Sequence, residues 1–404
     1  MKILFLAPNL PYPLNNGGLI RVHHIMANLA SRYDVTLICT EPTEAEQKGG
    51  VKAIESLGVE VLTVPMSHNQ KKENKRYYQL KSLFSNKTYQ YHQHYSTEMQ
   101  STITARLNTG QYDLIVVEFS QMGYYEFRDD IPSYLDQHNV EYEIMQRTYE
   151  MERNPLRKLL ARSEWKKYRE QEITNCEKFT GCLTTSVRDA EILKERSPQM
   201  ECHVIPNGVD SDFFRARESS IDPNLILFTG TISYYPNTEG ILWFHHNIWP
   251  LIKKLKPDAT FCIAGKTPPP EVESLADIDS QITVTGSVDD MRDYYARAAV
   301  VVVPLRVGGG TRLKILEGMA MEKAIVSTTL GAEGINHTEG KDILLRDTPE
   351  DFAEAVTKVM DNPELRLGLE KEGRRLVEAQ YDWKAVTSSL CDIFESKLHK
   401  DKAA

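Results

Sequence analysis

The sequence predicts an α/β protein with two doubly wound parallel sheets in tandem. Two successive series of short apolar runs alternate with longer amphipathic segments, which is the rhythm of parallel strands covered by helices on both faces. Several runs end in glycine-rich or polar loops, as strands of an open sheet do where they meet a ligand. The 404 residues suit two domains of roughly 200 each better than one.

In the first series, the runs Ile3–Leu6, Val35–Cys39, Val59–Val64, Leu114–Val117, Tyr134–Leu135, Cys182–Thr185 and Cys202–Ile205 are expected strands. Helical patterns fall between them, including Leu19–Ala30 and Thr43–Leu57. The opening Met1-Lys-Ile-Leu-Phe-Leu-Ala-Pro resembles a signal peptide for only seven residues before Asn9, Asn15 and Asn16 break it, so a buried first strand is the better reading. Val204-Ile-Pro-Asn-Gly-Val-Asp210 is a strand end feeding a turn, and the polar residues 211–223 are expected to cross between domains.

The second series runs through Leu225–Phe228, Thr260–Ala264, Ile282–Thr285, Val300–Val303, Ala324–Ser327 and Ile343–Leu345. Its expected helices are Thr238–Leu255, Asp289–Ala298, Thr311–Met321 and Pro349–Met360, with Pro236 and Asn237 as a helix start signal before the first. The division is therefore 1–205 and 206–382, with a helix over 383–400 that is expected to pack back on the first domain.

Composition narrows the class. A hydrophobic content of 41% with 26% charged residues is that of a globular protein, and a net charge of -9 disfavours a bulk nucleic-acid binder. No run approaches eighteen apolar residues, so no membrane span is expected. The six cysteines are scattered without a CxxC pair, which suggests neither a zinc site nor a disulfide framework and fits a reducing cytoplasm. Two basic segments stand apart. Residues 66–92 interleave lysines with Tyr77, Tyr78, Phe84, Tyr89 and Tyr91, and residues 153–169 run from Arg153 to Arg169. Each is readable as a contact with an anionic membrane or acceptor, or as a solvated face.

The most informative stretch is Pro304-Leu-Arg-Val-Gly-Gly-Gly-Thr-Arg-Leu-Lys-Ile-Leu-Glu317. It joins a buried strand to a helix beginning near Thr311. Gly308, Gly309 and Gly310 fill the turn, so that backbone N–H groups and the helix start can face a phosphate. Arg312 and Lys314 can add charge-assisted contacts, and the Glu317 carboxylate suits ribose hydroxyls. The loops at Gly230–Thr231, Gly265, Gly286–Val288 and Gly331–Glu333 follow neighbouring strands and are expected to converge on the same edge.

In the first half, Gly17 and Gly18 precede a helix, where backbone can approach a phosphate or sugar or simply pack closely. Arg21, His23 and His24 are read as either cleft or surface residues. His138 follows a strand end and is either a ligand contact or structural, with Asp136, Asn139 and Glu141 placed to orient it. Asp289 and Asp290 are read as helix-start acids rather than metal ligands.

Taken together, these segments resemble the retaining family-4 glycosyltransferases, and the resemblance covers essentially the whole chain. Its strongest part is Val301–Ile335, supported by Ile-Pro-Asn-Gly-Val-Asp at 205–210 and by the opening Pro11-Tyr-Pro with Gly17, Gly18 and Arg21, which match a bacterial polysaccharide branch. The resemblance implies a GT-B fold, two Rossmann-like domains facing across a cleft, and retention at the anomeric carbon. It implies transfer of a sugar from a nucleoside-diphosphate sugar, UDP- or GDP-linked, to a saccharide or lipid-linked acceptor in cell-surface glycan synthesis, at the inner face of the membrane.

By the same resemblance Gly17 and Gly18 approach the donor phosphates or sugar, and His138 contacts the donor sugar. Arg312 and Lys314 neutralise the diphosphate, Glu317 binds the ribose, and Gly286 to Val288 hold the base. No metal and no cofactor beyond the donor is implied. Two positions depart from the family pattern: Gly309 stands where the paired-glutamate motif has its first acid, and Thr231 stands where many relatives carry arginine. A nucleotide-sugar epimerase or phosphorylase and a weakly catalytic partner subunit are the alternatives.

Overall fold

A computed structural model of the protein describes residues 1–42, 49–65, 75–217, 221–308 and 312–403. The chain divides into two compact units, Met1–Ile205 with Thr387–Ala404, and Pro206–Val386.

The first unit is built on a seven-stranded sheet. Its strands are β1 (Lys2–Asn9), β2 (Asp34–Thr40), β3 (Glu60–Val64), β4 (Leu114–Glu118), β5 (Ser133–Gln137), β6 (Gly181–Thr184) and β7 (Cys202–Val204). All pairings are parallel, in the order β3-β2-β1-β4-β5-β6-β7. Ile3 to Leu6 and Leu114 to Val117 have no exposed surface, which is why these strands are uninterrupted apolar runs rather than alternating ones. Strand order reverses between β1 and β4, so the connections leaving these two strands turn to opposite sides and open a crevice at their carboxyl ends. The last helix, Trp383–Ala403, brings Leu390, Cys391 and Phe394 into this unit's interior, where the Phe394 ring lies 4.9 Å from that of Tyr134.

The second unit has six strands: β8 (Leu225–Thr229), β9 (Thr260–Ala264), β10 (Ile282–Gly286), β11 (Val300–Val303), β12 (Ile325–Ser327) and β13 (Leu344–Leu345). They too are parallel, in the order β10-β9-β8-β11-β12-β13. The reversal here falls between β8 and β11. The tetrad Val300 to Val303 is wholly buried at the centre of the core.

Three expected helices are corrected. The helix expected over Leu19–Ala30 begins at Gly17, because Asn16 caps it by accepting from Leu19 N–H. The single helix expected over Thr238–Leu255 begins at Tyr235 and is broken by a π-turn at Phe244–Ile248. Pro250 follows that turn; with no N–H to give and a ring that crowds the preceding turn, it favours a locally widened helix. The helix expected from Thr311 spans Leu313–Ala320, with Arg312 as its last non-helical residue. Of the helix expected over Thr43–Leu57, the described residues form Gly50–Glu55, and 43–48 lie outside them.

Candidate active site

Each unit presents its polar cluster at the point where strand order reverses. In the first unit, Glu118 ends β4 and Asp136 lies on β5, and the two are paired in register. Residues so paired on parallel strands point to the same sheet face, so two carboxylates stand side by side. Arg21, on the helix that follows β1, covers them: its Nε and Nη2 donate to the two oxygens of Asp136 at 2.8 and 2.9 Å. Arg21 and Glu118 have no exposed surface and Asp136 is 1% exposed. The sequence reading left Arg21 as cleft or surface; it is the buried counter-ion of a strand-end acid.

His138 completes this cluster. Its Nε2 lies 2.8 Å from Glu118 Oε2 and 4.0 Å from Asp136 Oδ2. Of the residues expected to orient it, Asp136 is second to Glu118, whose role the sequence did not disclose. Phe119 stacks on the imidazole with ring centroids 3.8 Å apart. Its backbone is in the left-handed region, φ 69°, and its N–H donates to Asp136 O at 2.9 Å. Gly18 belongs to the same constellation: a Cβ built there would lie 3.0 Å from the Phe119 ring. The structure thus brings Gly18, Phe119, Glu118 and His138 together, with Gly17 exposed at the helix start.

Burial raises the Glu118 carboxyl well above the usual range, with Asp136 adding to it, and lowers His138 to about 4. Glu118, Asp136 and His138 also offer ligand atoms within 4.8 Å of one another, the spacing of a metal site. Both oxygens of Asp136 are given to Arg21, whose charge takes the place a cation would hold, so the donor set fits an internal hydrogen-bond network better than a metal.

Next to this cluster, the turn after Phe119 lines a cavity of about 120 Å³ with Pro8, Asn9, Thr40, His94, Gln121 and Tyr125. His23 and His24 are partly buried on the helix that begins at Gly17.

In the second unit, the loops after β8, β9 and β10 are tied together. Gly230 N–H donates to Ala264 O at 3.2 Å, and Gly265 N–H donates to Gly286 O at 3.2 Å. A Cβ at Gly265 would fall 1.7 Å from Gly230 O, so only glycine permits this approach. Gly286 takes φ 68° with open space beside it, and Val288 is partly buried beyond it. Asp290 caps the next helix by accepting from Arg292 N–H at 2.9 Å, the helix-start role expected of it.

Lys314 is the centre of this half. Its Nζ donates to Asn237 Oδ1 at 2.7 Å and lies 3.9 Å above the Phe228 ring centroid. Asn237 in turn donates to Thr231 O at 2.8 Å, so one amide links the β8 loop to the lysine. Asn237 is a helix-start signal in the sequence and lies where many relatives carry a lysine; its contact with Lys314, 77 residues away, comes from the fold. Burial lowers Lys314 to about 7, with the Arg312 charge assisting and Glu317 opposing. Glu317 accepts from Tyr295 Oη at 3.1 Å, and that hydroxyl also lies 2.8 Å from Thr229 Oγ1. Desolvation raises the Glu317 carboxyl. Arg312 is 7% exposed and faces Tyr234 and Glu333, and its guanidinium would meet a Cβ at Gly308 at 3.2 Å. Gly308 takes φ 105°. The expected ligands Gly309, Gly310 and Thr311 lie outside the described residues.

With this geometry in view, comparisons with known proteins are informative. Residues 223–362 match the family Glycosyl transferases group 1. A segment of 172 residues is 24% identical to an uncharacterized 44.6 kDa protein in the cps region of Klebsiella pneumoniae, covering 41% of this chain and 44% of that protein. The match thus spans under half of that relative's length. Among solved structures, Anabaena Alr3699/HepE in complex with UDP superposes with a TM-score of 0.66 at 12% identity, over 98% of this chain and 100% of that one. The pneumococcal O-GlcNAc transferase GtfA in complex with UDP and GlcNAc gives 0.64 at 11% identity, over 99% of each chain. The two parallel sheets have the GT-B fold of these glycosyltransferases, and the second unit carries a Glycosyl transferases group 1 domain.

Proposed function

We propose that the protein is a retaining, metal-independent glycosyltransferase that moves a sugar from a nucleoside-diphosphate sugar to a hydroxyl of a saccharide or lipid-linked acceptor. One observation carries this reading above the others. In a group 1 domain, at the switch point of its sheet, a buried lysine sits with its charge suppressed beside closely tied glycine loops and a carboxylate three residues further along the helix. A buried cation of this kind gains most when an anion arrives, and the diphosphate of a sugar nucleotide is the anion that fits.

The expected chemistry follows. Breaking the bond between the sugar and its phosphate builds charge on the leaving diphosphate. Lys314, Arg312 and the N–H group at Gly308 stabilise that charge without reorganising. Glu317, held by Tyr295, takes the ribose hydroxyls. His138 is expected to contact the donor sugar. The solved relatives bound to UDP favour a uridine donor. The 120 Å³ cavity beside Phe119, lined by both polar and apolar side chains, suits one edge of an acceptor sugar.

We also infer a peripheral seat on an anionic bilayer, at the cytoplasmic face. Residues 153–169 carry seven Lys and Arg against one Glu in a chain of net charge -9. Leu156 is 77% exposed and Leu159 65% within that stretch, and Phe84 is 89% exposed at the end of the Lys75–Leu83 helix. Apolar side chains among cations are the pattern of an interfacial surface. Among the described residues, no helix is long and apolar enough to cross a membrane.

The reading is tested by incubating the purified chain with UDP-, GDP- and ADP-sugars in the presence of EDTA, and following nucleotide release and product configuration by NMR. Release of one nucleoside diphosphate with retention supports it. An inverted product, loss of turnover on chelation, or no turnover with any donor and any offered acceptor refutes the corresponding part.

A further inference from the structure

The Glu118–His138 contact carries a consequence for protonation that rests on the site reading above only in naming His138 as the residue that meets the donor sugar. The register of β4 and β5 sets Glu118 beside Asp136 on one sheet face. Arg21 faces both, yet its Nε and Nη2 are spent on the two oxygens of Asp136. Glu118 is left with His138. Its Oε2 is 2.8 Å from Nε2, while its Oε1 is buried and has no hydrogen-bond partner among the described residues. An ionised carboxylate has two oxygens that each demand donors. One in this position would be a second buried anion with a single contact, beside Asp136 and near Glu141 at the start of the Glu141–Met151 helix. Such a charge is strongly disfavoured away from water. Phe119, stacked on the imidazole, adds no donor.

One extra proton resolves the cluster. Placed on His138, it gives an imidazolium that is 8% exposed beneath a phenyl ring; placed on Glu118, it leaves both partners neutral. Neutral groups are the form that desolvation selects. The directions in which burial moves the two groups, Glu118 upward and His138 down to about 4, agree with that placement.

We propose that Glu118 is a protonated carboxylic acid at neutral pH that donates its hydrogen to His138 Nε2, so that His138 carries its own hydrogen on Nδ1 and meets the sugar as a hydrogen-bond donor. Glu118 is then a positioning residue: it selects the tautomer, and the tautomer decides which way the hydrogen bond to the sugar runs. No bond is made or broken by Glu118 itself.

The test is a long-range nitrogen–proton correlation spectrum of the full chain labelled on histidine ring nitrogens, at neutral pH, with His138 assigned by its loss in His138→Gln. The expected spectrum shows Nδ1 protonated and Nε2 as a bare acceptor, with no titration of the ring near the ordinary histidine value. A ring protonated on Nε2 with bare Nδ1, or one that becomes doubly protonated near that value, overturns the proposal. Glu118→Gln supplies an amide hydrogen to the same Nε2 and is expected to keep both the tautomer and turnover. Glu118→Ala releases the ring and is expected to lower kcat by about a hundredfold, the scale of a misplaced reacting-centre group, with KM for the donor little changed. If the unsubstituted ring carries its hydrogen on Nε2 and Glu118→Gln moves it to Nδ1, an ionised Glu118 is the better account. Nucleotide binding by calorimetry is read separately: its absence would remove the transferase reading while leaving the tautomer result standing.

Discussion

The two switch-point clusters hold charge in opposite ways. In the first unit Arg21 pairs with Asp136 and Glu118 with His138, and the cluster is nearly sealed from water. In the second, Lys314 is held by a neutral amide and an aromatic face, with its charge suppressed to about 7 and Arg312 as an unfavourable neighbour. The first arrangement holds its cation in an internal ion pair. The second becomes favourable only when an anion joins it. The same sheet geometry therefore holds a paired cation in one unit and, in the other, a cation without a carboxylate hydrogen-bonded to it.

Four experiments bear on that contrast. The largest effect is expected from Arg21→Met, which leaves Asp136 buried and 1% exposed without its partner. Breaking a buried pair from one side costs about 3–5 kcal/mol, read as a lower denaturant midpoint. A loss under about 1 kcal/mol, the worth of a surface pair, would show the cluster to be solvated. Next, Lys314→Met keeps the packing on Phe228 but removes the charge; turnover should fall by about a hundredfold to a thousandfold while the unfolding midpoint holds. The two substitutions thus separate stability from function, and a reversed outcome would dissolve the comparison.

Asn237→Ala removes the link between the Thr231 carbonyl and Lys314. One hydrogen bond to a charged group contributes about 1.5–3 kcal/mol, so donor affinity should weaken by about tenfold or more in a titration. The smallest effect per step is in pH. Burial lowers Lys314 to about 7, and a diphosphate bound beside it would raise that value. Donor affinity is therefore full below about pH 7 and falls as pH rises through it, by at most about tenfold per unit, with a proton taken up on binding. Calorimetry in buffers of different ionisation enthalpy measures that uptake; none at pH 8 would place Lys314 away from the diphosphate.

Much of the fold was legible because fully buried parallel strands leave short apolar runs, and Val300–Val303 is such a run in its purest form. The glycine at 265 was visible as a strand-ending turn, and its close approach to Gly230 explains it. What stayed hidden depends on register across the sheet. Glu118 fell just past the expected strand Leu114–Val117, until β4 and β5 aligned it with Asp136 and set it against His138, twenty positions on. Arg21 looked like any helix cation because its acid lies 115 residues away. Gly18 was read as an approach to a ligand or as close packing; its neighbour is the Phe119 ring, whose left-handed backbone no local pattern announces. The π-turn before Pro250 was hidden for another reason: a helical period changes little when one turn widens.

The central claim is that the second unit binds the nucleoside diphosphate of a sugar donor through Lys314 and Glu317. Isothermal titration of the full chain with UDP, GDP and ADP, repeated with Glu317→Ala and Lys314→Met, tests it most directly. The account predicts that one nucleotide, UDP, binds selectively and that both substitutions abolish or severely weaken it. Binding of no nucleotide, or binding that both variants leave unchanged, would contradict it.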